Sequence, residues 1–339
     1  PELALLAAYA KIELTKALTA SNLADDPYFE GTLRRYFPKQ IVERFGDQLD
    51  THPLRREIIS TVVANDMINI GGITFAFRII EETSASEAEI ARAFIAIREI
   101  YGIDKVLADL GGLPADFPTS TWSMMHLDLR RLLDRALRWF VNHVGRGTSI
   151  AEDIEAFKPV VQPLLAGLTR YLRGSDAERV GALQEKAREL DIPKELGSYW
   201  AEQFESFGLL DVALVSRAFD EPAESVAAVY YAVYDRYGID DLLDRITNLP
   251  RADRWQALAR AALRDDLYST VADMTTAVLE STPDLAGEDP VKRLDTWEQE
   301  NADHLGRATK MFKEVNGLEQ DDMASLSVAL RLLRSIVRR

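Results

Sequence analysis

Histidines and carboxylates are the residues with which this chain could bind a metal ion or carry out acid–base chemistry. A metal site needs several such side chains within reach of one ion. No two of the four histidines, His52, His126, His143 and His304, lie within one helical turn, and no HExxH motif is present. His126 and His143 are 17 residues apart, which is about 25 Å along a helix. The spacing favours packing or surface positions over a metal site.

Three pairs of adjacent acids, Glu81–Glu82, Asp240–Asp241 and Asp265–Asp266, are candidates for acid–base work. Neighbouring helix positions point about 100° apart, so these pairs do not form catalytic dyads by themselves. Solvated helix faces and caps are the better interpretation. No G-x-S-x-G motif places a serine nucleophile. Because the chain has no cysteine, thiolate nucleophiles, thiolate zinc sites and disulfides are also excluded.

Glycine clusters are the third possible source of function, because glycine lets a backbone approach a phosphate. A dinucleotide site needs GxGxxG between a strand and a helix. Gly71–Gly72, Gly111–Gly112 and Gly145–Gly147 follow no strand-like run and do not match that pattern or a Walker loop. We therefore predict that they are helix breaks and caps. The sequence predicts no catalytic, cofactor-binding or metal-binding residue in this chain.

The segment 65–74 is unusual because two asparagines and two glycines interrupt an apolar helical run. Both residue types are poor in helix interiors. Either the helix breaks here, or Gly71 and Gly72 allow a close backbone crossing while Asn65 and Asn69 are buried and hydrogen-bonded. We favour this packing interpretation over a ligand site.

Composition narrows the choice of partners. The 339 residues carry 55 acidic and 40 basic side chains, a net charge of −15. That balance disfavours a phosphate-backbone binder, so we expect no nucleic acid partner. The cationic end of the chain is interpreted as a complement to a helix dipole; its arginines are Arg331, Arg334, Arg338 and Arg339.

No apolar run approaches the ~20 residues of a membrane span, and no signal peptide is evident. We expect no membrane partner and a cytoplasmic location.

Helical periodicity runs through the whole chain, with apolar residues recurring at i, i+3, i+4 and i+7. Ser86 and Glu89 have the spacing of a capping box. Pro159 and Pro163 are expected to end or kink a helix near residue 158. Strand-and-hairpin patterns are missing, so the sequence predicts an all-α fold.

An imperfect internal repeat relates residues 85–114, the first copy, to residues 221–250, the second copy. The offset is 136 residues, and nine of the 30 aligned positions are identical. Both copies contain Tyr-Gly-Ile-Asp, in which Gly is expected to cap one helix and Asp104 or Asp240 to cap the next. A helix carrying Trp122 or Trp255 follows each copy, and we expect the two tryptophans to occupy related environments.

The repeat suggests two related multi-helix modules followed by a C-terminal helical hairpin. We divide the chain into N-terminal helices at 1–50, a first module at 51–189, a second module at 190–282 and the hairpin at 283–339. The hairpin begins with a long polar helix opened by Pro290.

Several long strings in this chain resemble the C-terminal region of the large bacterial NAD-specific glutamate dehydrogenases. They are PELALLAAYAKIELTKAL, DDPYFEGTLRRYFP, HPLRREIISTVVANDMINIGGITFAFRIIEET, RWQALARAALRDDLY and LSVALRLLRSI. They occur in order along nearly the whole chain. The resemblance implies a parent enzyme that converts L-glutamate, NAD and water to 2-oxoglutarate, ammonium and NADH. In that family the glutamate and NAD sites lie in an upstream catalytic domain, so no catalytic motif is transferred to this chain.

The resemblance leads to a first hypothesis. The chain is a non-catalytic C-terminal domain with a structural, oligomerisation or regulatory role, and it holds no cofactor itself although the parent enzyme uses NAD. Its expected partners are the catalytic domain of the same chain, from which the helix after Pro1 departs, and other subunits of a homo-oligomer. The alternative is a free-standing helical adaptor for a protein partner, and the upstream reading frame distinguishes the two. A complete active site within the chain is disfavoured by the missing nucleotide motif.

Overall fold

The computed structural model describes residues 2–144, 149–219, 221–316 and 322–337. Helices account for 81% of the described residues, which contain no strand. Ala, Leu, Glu and Arg are good helix formers, and their abundance explains this content. The all-α prediction is confirmed.

Contacts divide the chain into two units, an N-terminal unit (Pro1–Pro159) and a C-terminal unit (Val160–Arg339). The four segments predicted from the sequence, with boundaries at 50, 189 and 282, are a different division and stay a prediction. The boundary between the units lies inside a helix, Ile150–Leu165, that continues through Pro159 and Pro163. A helix end near residue 158 is therefore not observed. Proline removes only one backbone donor per residue, and this helix accommodates both losses.

The N-terminal unit is built from the first eight helices and the start of the ninth. They are α1 (Glu2–Ala20), α2 (Thr32–Tyr36), α3 (Lys39–Phe45), α4 (Arg55–Asp66), α5 (Phe75–Thr83), α6 (Glu87–Ile100), α7 (Ile103–Gly111), α8 (Thr119–His143) and α9 (Ile150–Leu165). The helix α1 packs on α4, and α6 packs on α8. The predicted capping box is present, since Ser86 and Glu89 cap the start of α6 reciprocally.

The C-terminal unit contains the end of α9 and nine further helices. They are α10 (Gly174–Glu189), α11 (Lys194–Glu202), α12 (Leu209–Ser216), α13 (Ala223–Arg236), α14 (Ile239–Asn248), α15 (Arg254–Ser281), α16 (Pro290–Glu300), α17 (Ala302–Asn316) and α18 (Met323–Val337). The buried helix α13 is surrounded by α12, α15 and α16, and α17 packs along α18 as the predicted hairpin.

The long polar helix expected from Pro290 is divided into α16 and α17 at Asn301. The Asn301 side chain donates a hydrogen bond of 2.8 Å to the carbonyl of Trp297. An asparagine that bonds to the backbone in this way competes with helix continuation. The break between α16 and α17 coincides with this side-chain bond.

The two repeat copies have the same order of elements. The helices α6 and α13 each contain 14 residues. Gly102 (φ 63°) and Gly238 (φ 59°) then adopt the left-handed conformation before α7 and α14 begin. Long helices of 25 and 28 residues, α8 and α15, follow. The related modules predicted from the repeat share this local architecture.

Two details predicted from the repeat are wrong. Asp104 and Asp240 do not cap the next helix, because Gly102 and Gly238 occupy the N-cap position and the aspartates lie in the first turn. The tryptophan environments differ as well. Trp122 is 40% exposed and donates to the Leu110 carbonyl at 3.3 Å, whereas Trp255 is 74% exposed.

No single helix in the described part of the chain has the length and hydropathy of a membrane span. The stretches Arg55–Gly71 and Phe75–Thr83 reach those values only as a pair, across a bend of 91°.

Candidate functional site

A polar cavity of about 550 Å³ lies in the N-terminal unit beside the first repeat copy. Its wall is formed by residues from α2, α4, α6 and the start of α7, together with a short turn at Pro27–Phe29. The ionisable side chains at the wall are Tyr28, Arg35, Asp66, Arg98, Glu99 and Asp104. The repeat places three of them, because α6 contributes Arg98 and Glu99 and the first turn of α7 contributes Asp104.

Arg98 is fixed between two carboxylates of this cavity. Its Nη1 donates to Asp66 at 2.7 Å, and its Nη2 donates to Asp104 at 2.6 Å. Burial by itself would lower the pKa of Arg98, but the hydrogen bonds to Asp66 and Asp104 outweigh burial and raise it. The guanidinium also lies over the Phe94 ring, 5.3 Å from its centroid. Arg98 therefore holds α4, α6 and α7 together as a permanent cation.

Glu99 is the second fixed charge at the cavity. Lys158 donates to it at 3.0 Å and the Tyr28 hydroxyl donates at 3.2 Å. Burial would raise the pKa of Glu99, but the bond and charge of Lys158 prevail and lower it. Burial and the charge of Glu99 raise the pKa of Tyr28 to about 12. At neutral pH Glu99 is ionised and Tyr28 is neutral, so this pair is suited to holding structure or a ligand rather than to proton transfer.

Arg35 differs from the other charged groups of the cavity. It is exposed and makes no ion pair within the described residues. With Arg98 and Lys158 it balances the three carboxylates Asp66, Glu99 and Asp104. A cavity with balanced charge does not have the excess of cations that a polyphosphate requires.

The segment 65–74 forms the corner between α4 and α5. A π-helical turn, Met67–Gly71, ends α4, and Gly72 then adopts φ 95°. A Cβ atom on Gly71 would overlap the ring of Phe75, and one on Gly72 would overlap the Arg130 guanidinium. The helix therefore breaks at this corner, and the glycines leave room for the side chains of Phe75 and Arg130 rather than for a crossing backbone.

The asparagines of that segment behave differently from the expectation. Asn69 is exposed and accepts a hydrogen bond of 2.8 Å from Lys11. Asn65 is half-buried. The prediction of two buried, hydrogen-bonded amides is wrong for Asn69, because the corner turns that side chain toward α1 and solvent.

Charged side chains at buried positions of the C-terminal unit have ionic or neutral polar partners. The guanidinium of Arg293, which is fully buried, donates to the Glu221 carboxylate at 2.7 and 3.0 Å and to Thr282. Arg179 pairs with Asp176 at 2.6 Å and with Glu205. Glu202 is buried with Gln184 as a neutral partner at 3.2 Å, and burial raises its pKa to about 7.

The residues considered as chemical candidates make local contacts. His126 and His143 each lie near the carbonyl four residues earlier, at 3.0 and 2.8 Å. His143 stacks on Trp139, and the His126 ring lies tilted against Trp122. His52 accepts from the amide of Leu54 at 3.1 Å. The side chain of His304 lies outside the described part of the chain.

Acids from the three adjacent pairs also have partners. Glu82 pairs with Arg138, Asp241 lies 3.6 Å from Arg245, and Asp266 pairs with Arg334. Arg338 and Arg339 of the cationic end lie outside the described residues. Within the described ranges, no group of three or more His, Asp or Glu side chains is placed to hold a metal ion.

Sequence reasoning missed the cavity itself. Arg98 and Glu99 lie in a run of helix-forming residues, and nothing in their spacing marks them. The one available signal was the first-turn position of Asp104 in the repeat, six residues after Arg98, which we assigned to a cap.

Comparison with known proteins was made over the whole chain. The sequence profile of the family described as "Glutamate dehydrogenase, C-terminal" matches residues 1–335. The NAD-specific glutamate dehydrogenase of Mycobacterium tuberculosis is 33% identical over 338 residues, which is 100% of this chain and 21% of that protein. Those of Halomonas elongata and Pseudomonas aeruginosa are each 31% identical, over 98% and 99% of this chain. The chain spans about a fifth of the length of these relatives.

Proposed function

The chain belongs to the family of glutamate dehydrogenase C-terminal regions, and on this premise we propose that it is the non-catalytic C-terminal part of an NAD-specific glutamate dehydrogenase. The parent enzyme converts L-glutamate, NAD and water to 2-oxoglutarate, ammonium and NADH. The observation that carries the proposal is 31–33% identity to NAD-specific glutamate dehydrogenases over 98–100% of this chain.

In this proposal, residues elsewhere in the parent polypeptide bind NAD and L-glutamate. The charged groups that the structure does describe support a structural role for this part. Arg98 and Glu99 are fixed in ion pairs between helices, and Arg293 of α16 pairs with Glu221 in the loop before α13. Such pairs define how neighbouring elements meet rather than turn over a substrate.

The proposed partners are the catalytic domain of the same polypeptide and other subunits of a cytoplasmic homo-oligomer. The two units give the chain separate helical bodies, which suits simultaneous contacts with more than one neighbour. The sequence carries a net charge of −15, which supports protein partners over nucleic acid.

The direct test is an assay of the full-length polypeptide. L-glutamate-dependent reduction of NAD is expected, and a purified full-length protein that is inactive with both substrates would contradict the proposal. A Tyr28→Phe substitution at the cavity should leave the KM values for NAD and L-glutamate unchanged. An increase in either KM would place the cavity in the substrate-binding machinery.

The non-catalytic assignment has its own test. Residues 1–339, expressed alone, are titrated calorimetrically with NAD, and no one-to-one micromolar isotherm is expected because the chain carries no pyrophosphate-binding glycine loop. Such an isotherm would overturn this part of the proposal. A gene that encodes these residues alone would favour the adaptor alternative.

A further inference from the structure

The first half of α1 exposes large apolar side chains. Leu3, Leu5, Leu6, Tyr9 and Ile12 are 73, 58, 55, 59 and 49% exposed. Between Glu2 and Tyr9 every residue except one alanine is classed as exposed. The sequence of this stretch, ELALLAAY, contains a single charge. An apolar patch of this kind on a folded protein marks a surface that a partner covers.

The exposed side chains point in opposite directions around α1. Successive helical residues are rotated by about 100°, so Leu3 lies in line with Ala10, Leu14 and Leu18, the buried stripe of α1. Leu5, Tyr9 and Ile12 lie on the other side of the helix. The second half of α1 rests its buried stripe on α4 and α6, while the first half extends beyond them with apolar residues on both sides.

A flat partner covers one side of a helix, whereas residues on opposite sides are buried together only when the partner encloses the helix. Two copies of α1 packed side by side would leave Leu3 or Leu5 in water. Apart from Glu2, the first charged residue of α1 is Lys11. The Lys11 ammonium donates a hydrogen bond of 2.8 Å to Asn69. Lys16 forms an ion pair with Glu13 at 2.8 Å. The enclosing surface is therefore apolar.

We propose that the first three turns of α1 insert into an apolar cleft formed by the preceding part of the same polypeptide. This inference rests on the proposed function only in taking the chain as the C-terminal part of a longer protein. That premise comes from the family description and from relatives of which the chain covers about a fifth. The insertion makes α1 a shared element of two folded bodies.

Thiol labelling of the full-length protein tests the enclosure. The chain has no cysteine, so Leu5→Cys and Ile12→Cys each add one mappable thiol here. Leu54→Cys and Leu127→Cys are matched controls, since those leucines are 55 and 53% exposed in the N-terminal unit. Because a local opening must precede reaction, thiols at 5 and 12 should react with maleimide at least about tenfold more slowly than the controls. Equal rates would overturn the proposal.

Hydrogen exchange on the unmodified full-length protein tests the insertion of α1 without a substitution. Amides of residues 5–12 should exchange as slowly as those of α4. Exchange at the rate of an unprotected peptide would contradict insertion.

Cross-linking identifies the part of the protein that contacts the start of α1. Benzoylphenylalanine in place of Tyr9 should form links within one polypeptide to residues that precede Glu2. Links to residues 1–339 of a second copy would overturn the proposal in favour of a subunit interface. Failure of the proposed function is separable, since it appears as absent glutamate-dependent NAD reduction while α1 stays protected.

Discussion

The first and second repeat copies have the same order of backbone elements but different side-chain contacts. In both, a 14-residue helix ends at a left-handed glycine, Gly102 or Gly238, and a short helix follows. In the first copy Phe94 packs edge-to-face on Phe75, with ring centroids 6.0 Å apart. In the second copy the equivalent residue is Tyr230, whose hydroxyl donates to Asp211 at 3.1 Å.

The equivalent residues Arg98 and Tyr234 show what the difference means. Arg98 lies at the cavity and pairs with Asp104 of its own copy. Tyr234 is buried, and Asp240, the counterpart of Asp104, accepts instead from the Ser175 hydroxyl. The shared glycine and apolar period fix the path of the chain. The polar and ionic contacts of each copy depend on the elements packed against it.

The largest expected effect is at the corner that supports the first copy. Gly71→Leu should lower the free energy of unfolding by about 3 kcal/mol, because the added side chain displaces Phe75 from Phe94 and overpacks the core. Gly72→Leu should also destabilise, since its φ of 95° is strained for leucine. Thermal or urea denaturation measures both. Gly111→Leu is the control, because a Cβ there meets nothing. An unchanged midpoint for Gly71→Leu would show that the first copy does not need this corner.

The second expected effect distinguishes the two units by the pH dependence of their stability. Burial raises the pKa of Glu202 from 4.5 to about 7 and that of Asp176 from 3.8 to about 6. Below pH 7 the folded C-terminal unit binds protons that the unfolded chain releases, so its stability should fall by about 2 kcal/mol as pH rises from 4.5 to 7. Glu99, whose pKa is lowered, contributes stability to the N-terminal unit that is lost only in acid.

Hydrogen exchange at pH 5 and pH 8, read separately for peptides of α11 and α6, measures this difference. Glu202→Gln should flatten the pH dependence of α11 protection, because the amide carries no charge to bury. Glu185→Gln, at an exposed position of α10, is the matched control and should leave the pH dependence as it is. Equal pH responses of α11 and α6 would refute the contrast.

A smaller effect is expected from making the second copy resemble the first. Tyr230→Phe removes the buried hydroxyl bonded to Asp211 and should cost about 1–2 kcal/mol of stability. Chemical denaturation measures the loss. Tyr36→Phe, which removes an exposed hydroxyl, should be neutral. If Tyr230→Phe is neutral as well, the polar core of the second copy is not a stabilising difference.

The smallest effect tests what the copies share. Gly102→Ala and Gly238→Ala should each cost about 1 kcal/mol, because alanine is strained in the left-handed region. At Gly238 a Cβ meets nothing, so the cost there is backbone strain alone. Gly181→Ala, within α10, should be neutral or stabilising. Clearly unequal costs at positions 102 and 238 would mean that the two turns are not equivalent.

The sequence by itself determined the features that depend on local chemistry. Helical periodicity predicted the all-α fold, Ser86 and Glu89 predicted a cap, and Tyr-Gly-Ile-Asp predicted two glycine-terminated helices in related modules. The ordered family strings predicted the relatives. Each of these is encoded within a few turns of chain or by direct similarity, so no knowledge of packing was needed.

Only the tertiary structure decided which side chains meet over long sequence distances. Arg98 contacts Asp66 and Glu99 contacts Lys158 because α6 lies within side-chain reach of α4 and α9. Asn69 is exposed and accepts a hydrogen bond from Lys11 because α1 packs beside the π-helical turn. Trp122 and Trp255 differ in exposure although both lie near the start of a long helix. Burial and partners come from neighbouring elements, and a repeat in one segment does not specify what packs against it.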